Sequence, residues 1–157
     1  MLEAYRDDFE MRMKDRKWYS RAANVTVTAF PTAHAMESFG HRFDAPDRRI
    51  VISGDTRPVQ ETIDACNGCD VLVHEVLTLD WLSRRPDFHE YAARHHTTTA
   101  QLTELSTRAR PPLLILYHAS LSLRPAVDTE RSAPVTLLEE MSGYAGRVVV
   151  GRDLDVY

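Results

Sequence analysis

In Arg49-Ile50-Val51-Ile52-Ser53-Gly54-Asp55-Thr56 an apolar run passes directly into a glycine and then a carboxylate. Such a run, closed by a turn signal, reads as a buried strand that hands a polar side chain to the following loop. The chain repeats the device: Leu113-Leu114-Ile115-Leu116 leads into Tyr117-His118, and Val71-Leu72-Val73 leads into His74-Glu75. Buried strands with ligand-type residues at their ends mark an open sheet carrying helical layers, in which function gathers at the strand termini. Asp55 can bridge two cations through its two oxygens, and His118 can ligate one of them through a neutral imidazole. Two ions need about six to eight protein donors between them. No His-x-His-x-Asp-His cluster occurs among the seven histidines, so the sequence predicts half of a dinuclear metal site.

Outward from these strands, the pattern alternates between strand and helix. Residues 2–14 place Leu2, Tyr5, Phe9 and Met13 on one helical face, which predicts an amphipathic opening helix. Val25, Val27 and Ala29 alternate with threonines in a strand stopped by Pro31. Residues 38–43 and 48–52 flank Ala45-Pro46-Asp47 as an antiparallel hairpin, whose second strand delivers Asp55. Pro58, Val59, Ile63 and Cys66 predict a helix over 57–66. A short helix at 91–94 precedes Thr98-x-x-Gln101, a capping-box pattern that opens a helix with Leu102, Leu105 and Ala109 inward. His96 therefore sits just ahead of a helix N-terminus. Pro111-Pro112 stops that helix, and a further helix over 134–142 and a strand at 148–150 complete the pattern. No internal repeat or domain boundary interrupts it, so 1–157 reads as a single α/β domain, a mixed sheet flanked by helices.

The 157 residues suffice by length for one core, and a formal charge of -4 gives no general reason to bind nucleic acid or an anionic membrane. A small molecule is the plainer partner. Acidic residues stand in the first ten positions where a secretory signal would be apolar, and no run approaches a membrane span. These features predict a cytoplasmic protein without membrane attachment. Cys66 and Cys69 form Cys-Asn-Gly-Cys, which reads first as two structural thiols at a helix end and second as a redox pair or half a zinc knuckle. Trp18 and Trp81 are remote from any basic tract and give no support to a base-stacking platform.

Candidate chemistry falls at four junctions. Each residue alone has a bland reading: Asp55 as a helix cap, His118 as a core histidine, His74-Glu75 as a pair at a strand end. Together with His96 they offer a coherent site. Asp55 and His118 are the candidate metal ligands, and His96, Glu75 and His74 the candidate catalytic residues. The helix N-terminus disfavours the His96 imidazolium, whereas a neighbouring Glu75 carboxylate favours it. His74 would bond to substrate or to Glu75, a contact of the kind that fixes a histidine's orientation. His34, after the first predicted strand, is a candidate substrate-binding residue, while His41, His89 and His95 read as outside the site.

The ordered set Gly40-His41-Arg42-Phe43, Ser53-Gly54-Asp55-Thr56, Val73-His74-Glu75, His96-Thr97-Thr98, Leu116-Tyr117-His118 and Gly151-Arg152-Asp153-Leu154 resembles the C-terminal half of the metallo-β-lactamase superfamily. The ribonuclease Z branch is the most similar. The resemblance implies an αββα sandwich and a two-metal hydrolase that uses activated water on an ester or phosphodiester, as in 3′-tRNA-processing endoribonucleases. It implies zinc, with manganese or iron as alternatives. It places Asp55 at the bridging aspartate, His118 at the last metal histidine, His96 near the leaving group and Glu75 in the His-Glu segment. The resemblance also makes 1–157 a partial domain: the family's His-x-His-x-Asp-His segment and its next metal histidine are expected from a missing N-terminal half or a partner subunit. Val76-Leu77 and Ala119-Ser120-Leu121 depart from the ribonuclease Z pattern, making RNA the less favoured substrate. The rival expectation is a non-catalytic half-domain acting in assembly.

Overall fold

The structure, a computed structural model, describes residues 12–14, 17–22, 24–119 and 133–157. Its eight strands lie in one sheet in chain order: β1 (Arg12–Lys14), β2 (Lys17–Ala22), β3 (Val25–Pro31), β4 (Phe39–Asp44), β5 (Arg49–Ile52), β6 (Val71–Glu75), β7 (Leu113–Tyr117) and β8 (Arg147–Val150). Neighbours from β1 to β5 are antiparallel; those from β5 to β8 are parallel. The switch follows from the connections. A tight turn closed by the Ala45 N–H on the Arg48 carbonyl at 2.9 Å joins β4 to β5. Each parallel pair instead needs a crossover, and helices supply it: α1 (Gln60–Cys66), then α2 (Leu79–Ser83), α3 (His89–His95) and α4 (Thr99–Ala109), then α5 (Ala133–Glu140).

Alternation along the strands sorts the two faces of the sheet. Phe30, Val51, Leu72, Leu114 and Leu116 meet Cys66, Leu102, Leu105, Leu137 and Met141 in the core, so α1, α4 and α5 cover one face. Full burial of each such leucine contributes about 2 kcal/mol. The alternate residues Ile50, Ile52, Val71, Val73, Leu113 and Ile115 point the other way and stay partly accessible. Among the described residues no helix is long and apolar enough to cross a membrane.

Two sequence expectations need correction. Arg12–Lys14 is a strand, paired with β2 through Met13 opposite Trp18, so the opening helix does not extend there; the rest of that segment lies outside the described residues. Cross-strand pairing has overridden a helical apolar spacing. Cys66 and Cys69 are not free thiols but a disulfide, both buried, closing the turn in which Asn67 takes a left-handed φ of 37° and Gly68 one of 78°. The left-handed cap brings the two α-carbons to 4.6 Å, within reach of a disulfide, which helical periodicity does not reveal. A four-residue loop closed this way restricts the unfolded chain by about 2 kcal/mol. Reduction, or the Cys66→Ser, Cys69→Ser double variant, should lower the melting temperature by about 4 to 8 °C. Equal melting curves with and without reductant would show that the pair is reduced in solution.

Candidate metal centre

The site forms where three strands end. β5 continues one residue, with the Ser53 N–H on the Val73 carbonyl at 2.9 Å, and Gly54 at φ 69° then turns the chain so that Asp55 faces back over the strand ends. A Cβ at Gly54 would meet the Phe39 carbonyl oxygen at 2.8 Å, so only glycine fits this turn without a shift. The loop after β3 is fastened to the same turn: the Ala33 N–H donates to Thr56 Oγ1 at 3.0 Å and the Arg57 N–H to the Ala33 carbonyl at 3.0 Å. That fastening delivers His34. His118 follows β7 directly at φ 52°, a left-handed backbone that costs about 1 kcal/mol or more in a non-glycine residue. His96 arrives from the end of α3, two residues ahead of the Thr98 cap of α4, whose capping box with Gln101 is complete.

Three imidazoles converge on the one carboxylate. His118 Nε2 lies 3.2 Å and His34 Nε2 3.4 Å from Asp55 Oδ2, while His96 Nδ1 lies 3.0 Å from Asp55 Oδ1. Glu75 is fully buried, takes the Thr97 N–H on Oε1 at 2.7 Å, and brings Oε2 to 3.6 Å from the same His96 nitrogen. Thr97 also donates its hydroxyl to the Thr56 carbonyl at 2.8 Å, locking the His96 segment to the Asp55 loop.

The electrostatics follow from the packing. Burial raises the Asp55 carboxyl, but the contact with His96 and the charges of His96, His118 and His34 outweigh it and hold the group below the usual carboxylate range. Burial lifts the Glu75 carboxyl above its ordinary value despite the opposing pull of His96. Desolvation and two carboxylates compete over His96, and the carboxylates win, raising it to about 9.

The donor set suits a cation. Asp55 Oδ1, Glu75 Oε2 and His34 Nε2 are buried without a well-formed hydrogen bond, although they lie close together. A shared positive ion resolves such a gathering of lone pairs. Donor atoms of His34, Asp55 and His96 all lie within 4.8 Å of one another, and His118 touches the same carboxylate from the side.

The sequence candidates are thus only partly brought together. Asp55, His118, His96 and Glu75 meet, and His34 joins them against Asp55 itself, closer to a ligand's place than to a substrate wall. His74 does not join. It shares a face with Leu72, is fully buried at the helix side, and turns Nδ1 to the Glu75 carbonyl at 2.8 Å, so it reaches no substrate. Thr97 and Ser53 were missed as scaffolding, because their partners are distant in sequence.

Residues 6–119 match the family model described as the Beta-lactamase superfamily domain. The chain belongs to the β-lactamase superfamily. Within this superfamily it is ribonuclease Z-like: Ribonuclease Z of Halalkalibacterium halodurans is 33% identical over 105 residues, covering 65% of this chain and 32% of that protein. Solved superfamily structures share the fold. The metallo-β-lactamase fold protein YhfI from Bacillus subtilis superposes with a TM-score of 0.66 at 17% identity, over 85% of this chain and 50% of that one. Human tRNase Z, short form, gives 0.55 at 20% identity, over 69% and 42%. The chain spans about a third to a half of these relatives.

Proposed function

We propose that this chain carries part of the active site of a metal-dependent hydrolase acting on an ester or phosphodiester. The convergence of His34, His96 and His118 on Asp55 carries the reading. His34, Asp55 and His118 would hold the metal, and Asp55, with two oxygens facing different imidazoles, is the residue suited to bridge two ions. The mixed nitrogen and oxygen donors suit zinc, with manganese or iron as alternatives. When bound, the metal supplies the positive charge that makes water acidic enough to attack near neutral pH.

The chain's own residues do the rest. Asp55 and Glu75 hold His96 by Nδ1 and keep it protonated, which leaves Nε2 on the far side of the ring as the proton donor to a leaving oxygen. Thr97 fixes Glu75 so that this orientation persists. Relatives named Ribonuclease Z and tRNase Z make a phosphodiester of RNA one substrate class, and a small ester the other. Three ligand residues fall short of two full cages, so we assign the remaining donors to a further polypeptide segment or a partner subunit. The partly accessible row Ile50, Ile52, Val71, Val73, Leu113 and Ile115 suits such a partner, and it equally supports the second reading, a non-catalytic assembly module.

Titration with zinc or manganese, followed by bis(p-nitrophenyl) phosphate hydrolysis, tests the proposal. Binding at micromolar metal that is weakened about tenfold or more by His34→Ala is the expected result. Metal binding indifferent to both His34→Ala and His118→Ala would overturn it and leave the assembly reading.

A further inference from the structure

Between β6 and α4 the chain makes an excursion over residues 78–96 whose two ends are held together. The Leu77 N–H donates to the Thr97 carbonyl at 2.8 Å and the Thr99 N–H to the Leu77 carbonyl at 2.9 Å. Glu140 of α5 grips the same base: its carboxylate accepts the N–H of Leu79 at 2.7 Å, the N–H of Asp80 at 3.0 Å and the hydroxyl of Thr99. The excursion is therefore a fixed wall, and the wall is aromatic.

Its rings run in an unbroken series up to the metal centre. Trp81 stands edge-on to Phe88 at 5.2 Å, Phe88 lies 5.0 Å from Tyr91, and Tyr91 lies 4.6 Å from His95 and 5.6 Å from His96. Phe88 and His96 are nearly parallel, at 24°, and His96 is parallel to His118 within the same angle. The outer end is closed, because the Arg85 guanidinium sits 5.4 Å over the Trp81 ring. The inner end is open: Tyr91 keeps 42% of its surface exposed one ring away from the Asp55 carboxylate. Buried aromatic chains do not need an exposed terminal ring for stability, and the solvent-exposed part of the Tyr91 side chain beside reactive groups offers aromatic surface to a planar ligand.

Charge narrows the ligand. Arg84 pairs with Asp80, Arg85 with Asp87 and Arg94 with Glu90, so the excursion spends its cations internally. It presents no row of free cations to follow an extended phosphate backbone. Resting on the hydrolase reading above, we infer that the Phe88 and Tyr91 edge beside His96 is a subsite for one planar aromatic group attached to the scissile ester or phosphodiester, the ligand being a small molecule and not a folded RNA. The aromatic group is a nucleobase or an aryl ring; stacking chemistry accepts either.

Equilibrium binding of adenosine 5′-monophosphate, phenyl phosphate and ribose 5-phosphate to the full chain tests this without turnover. AMP, phenyl phosphate or both should bind about tenfold tighter than ribose 5-phosphate, with Tyr91→Ala erasing the difference and Tyr91→Phe keeping it. Preference for AMP over phenyl phosphate assigns the nucleobase, and the reverse assigns the aryl ring. Equal binding of all three, or a preference that survives Tyr91→Ala, would overturn the inference. So would tight binding of a folded tRNA that Tyr91→Ala leaves unchanged. Since Tyr91 is half exposed, the variant keeps its core, and circular dichroism verifies this. Ring preference without any metal-dependent cleavage would strike the hydrolase reading alone.

Discussion

Asp55→Asn is expected to cut metal affinity at least about 100-fold and to leave any ester or phosphodiester cleavage at background. The substitution keeps the side chain's volume and its place after Gly54, so folding is not what fails. What is lost is the negative charge on which His34, His96 and His118 converge at 3.4, 3.0 and 3.2 Å. An amide offers one neutral oxygen and a donor nitrogen, and cannot bridge two cations. The same change removes one of the two carboxylates that raise His96 to about 9, so its pKa should fall while Glu75 prevents a return to the level of a free histidine. Metal titration by calorimetry and the His96 ring shifts by NMR read the two effects separately. Wild-type metal affinity in Asp55→Asn would remove the carboxylate from the centre of the site.

The parts of this centre that were legible in the sequence are those carried by uninterrupted apolar strands. Val51, Leu72 and Leu114 anchor short apolar strands, and each strand announces its end by the polar residues that follow within three positions, among them Asp55, Glu75 and His118. The capping box of α4 placed His96 correctly because Thr98 and Gln101 act within one turn. His34 was harder to place as a ligand, since its position depends on Thr56 gripping Ala33, a contact across 23 residues. β2 escaped for a different reason: its pairing, Trp18 opposite Ala29 and Ser20 opposite Val27, is a property of the backbone ladder and leaves little pattern in Lys17–Ala22. For His74, strand alternation puts the ring on the core face with Leu72 and Glu75 on the other, which leaves it the bond to the Glu75 carbonyl and not one to substrate.

That buried position makes His74 a group through which acid should destabilise the protein between pH 6.5 and about 4. Desolvation pushes its pKa down to about 4 from 6.5, against the weaker upward pull of the Glu75 carbonyl. With the folded value below the unfolded one, the unfolded chain takes up the proton first as pH falls. The stability tied to a neutral His74 is whole above about pH 6.5 and drains away between there and about pH 4, by on the order of 3 kcal/mol. His96 works in the opposite sense: raised to about 9, it contributes stability that is complete below 6.5 and is lost as pH rises through 9. Comparison with His74→Leu separates them, since that variant retains every other titrating group and replaces a buried imidazole, whose Nε2 has no hydrogen-bond partner, by an apolar side chain of similar reach. Urea denaturation at half-unit steps from pH 7 to pH 4 should show the variant losing about 3 kcal/mol less than the parent. Parallel curves would mean that His74 is solvated or protonated in the native state, and the buried helix side of β6 would have to be open to water.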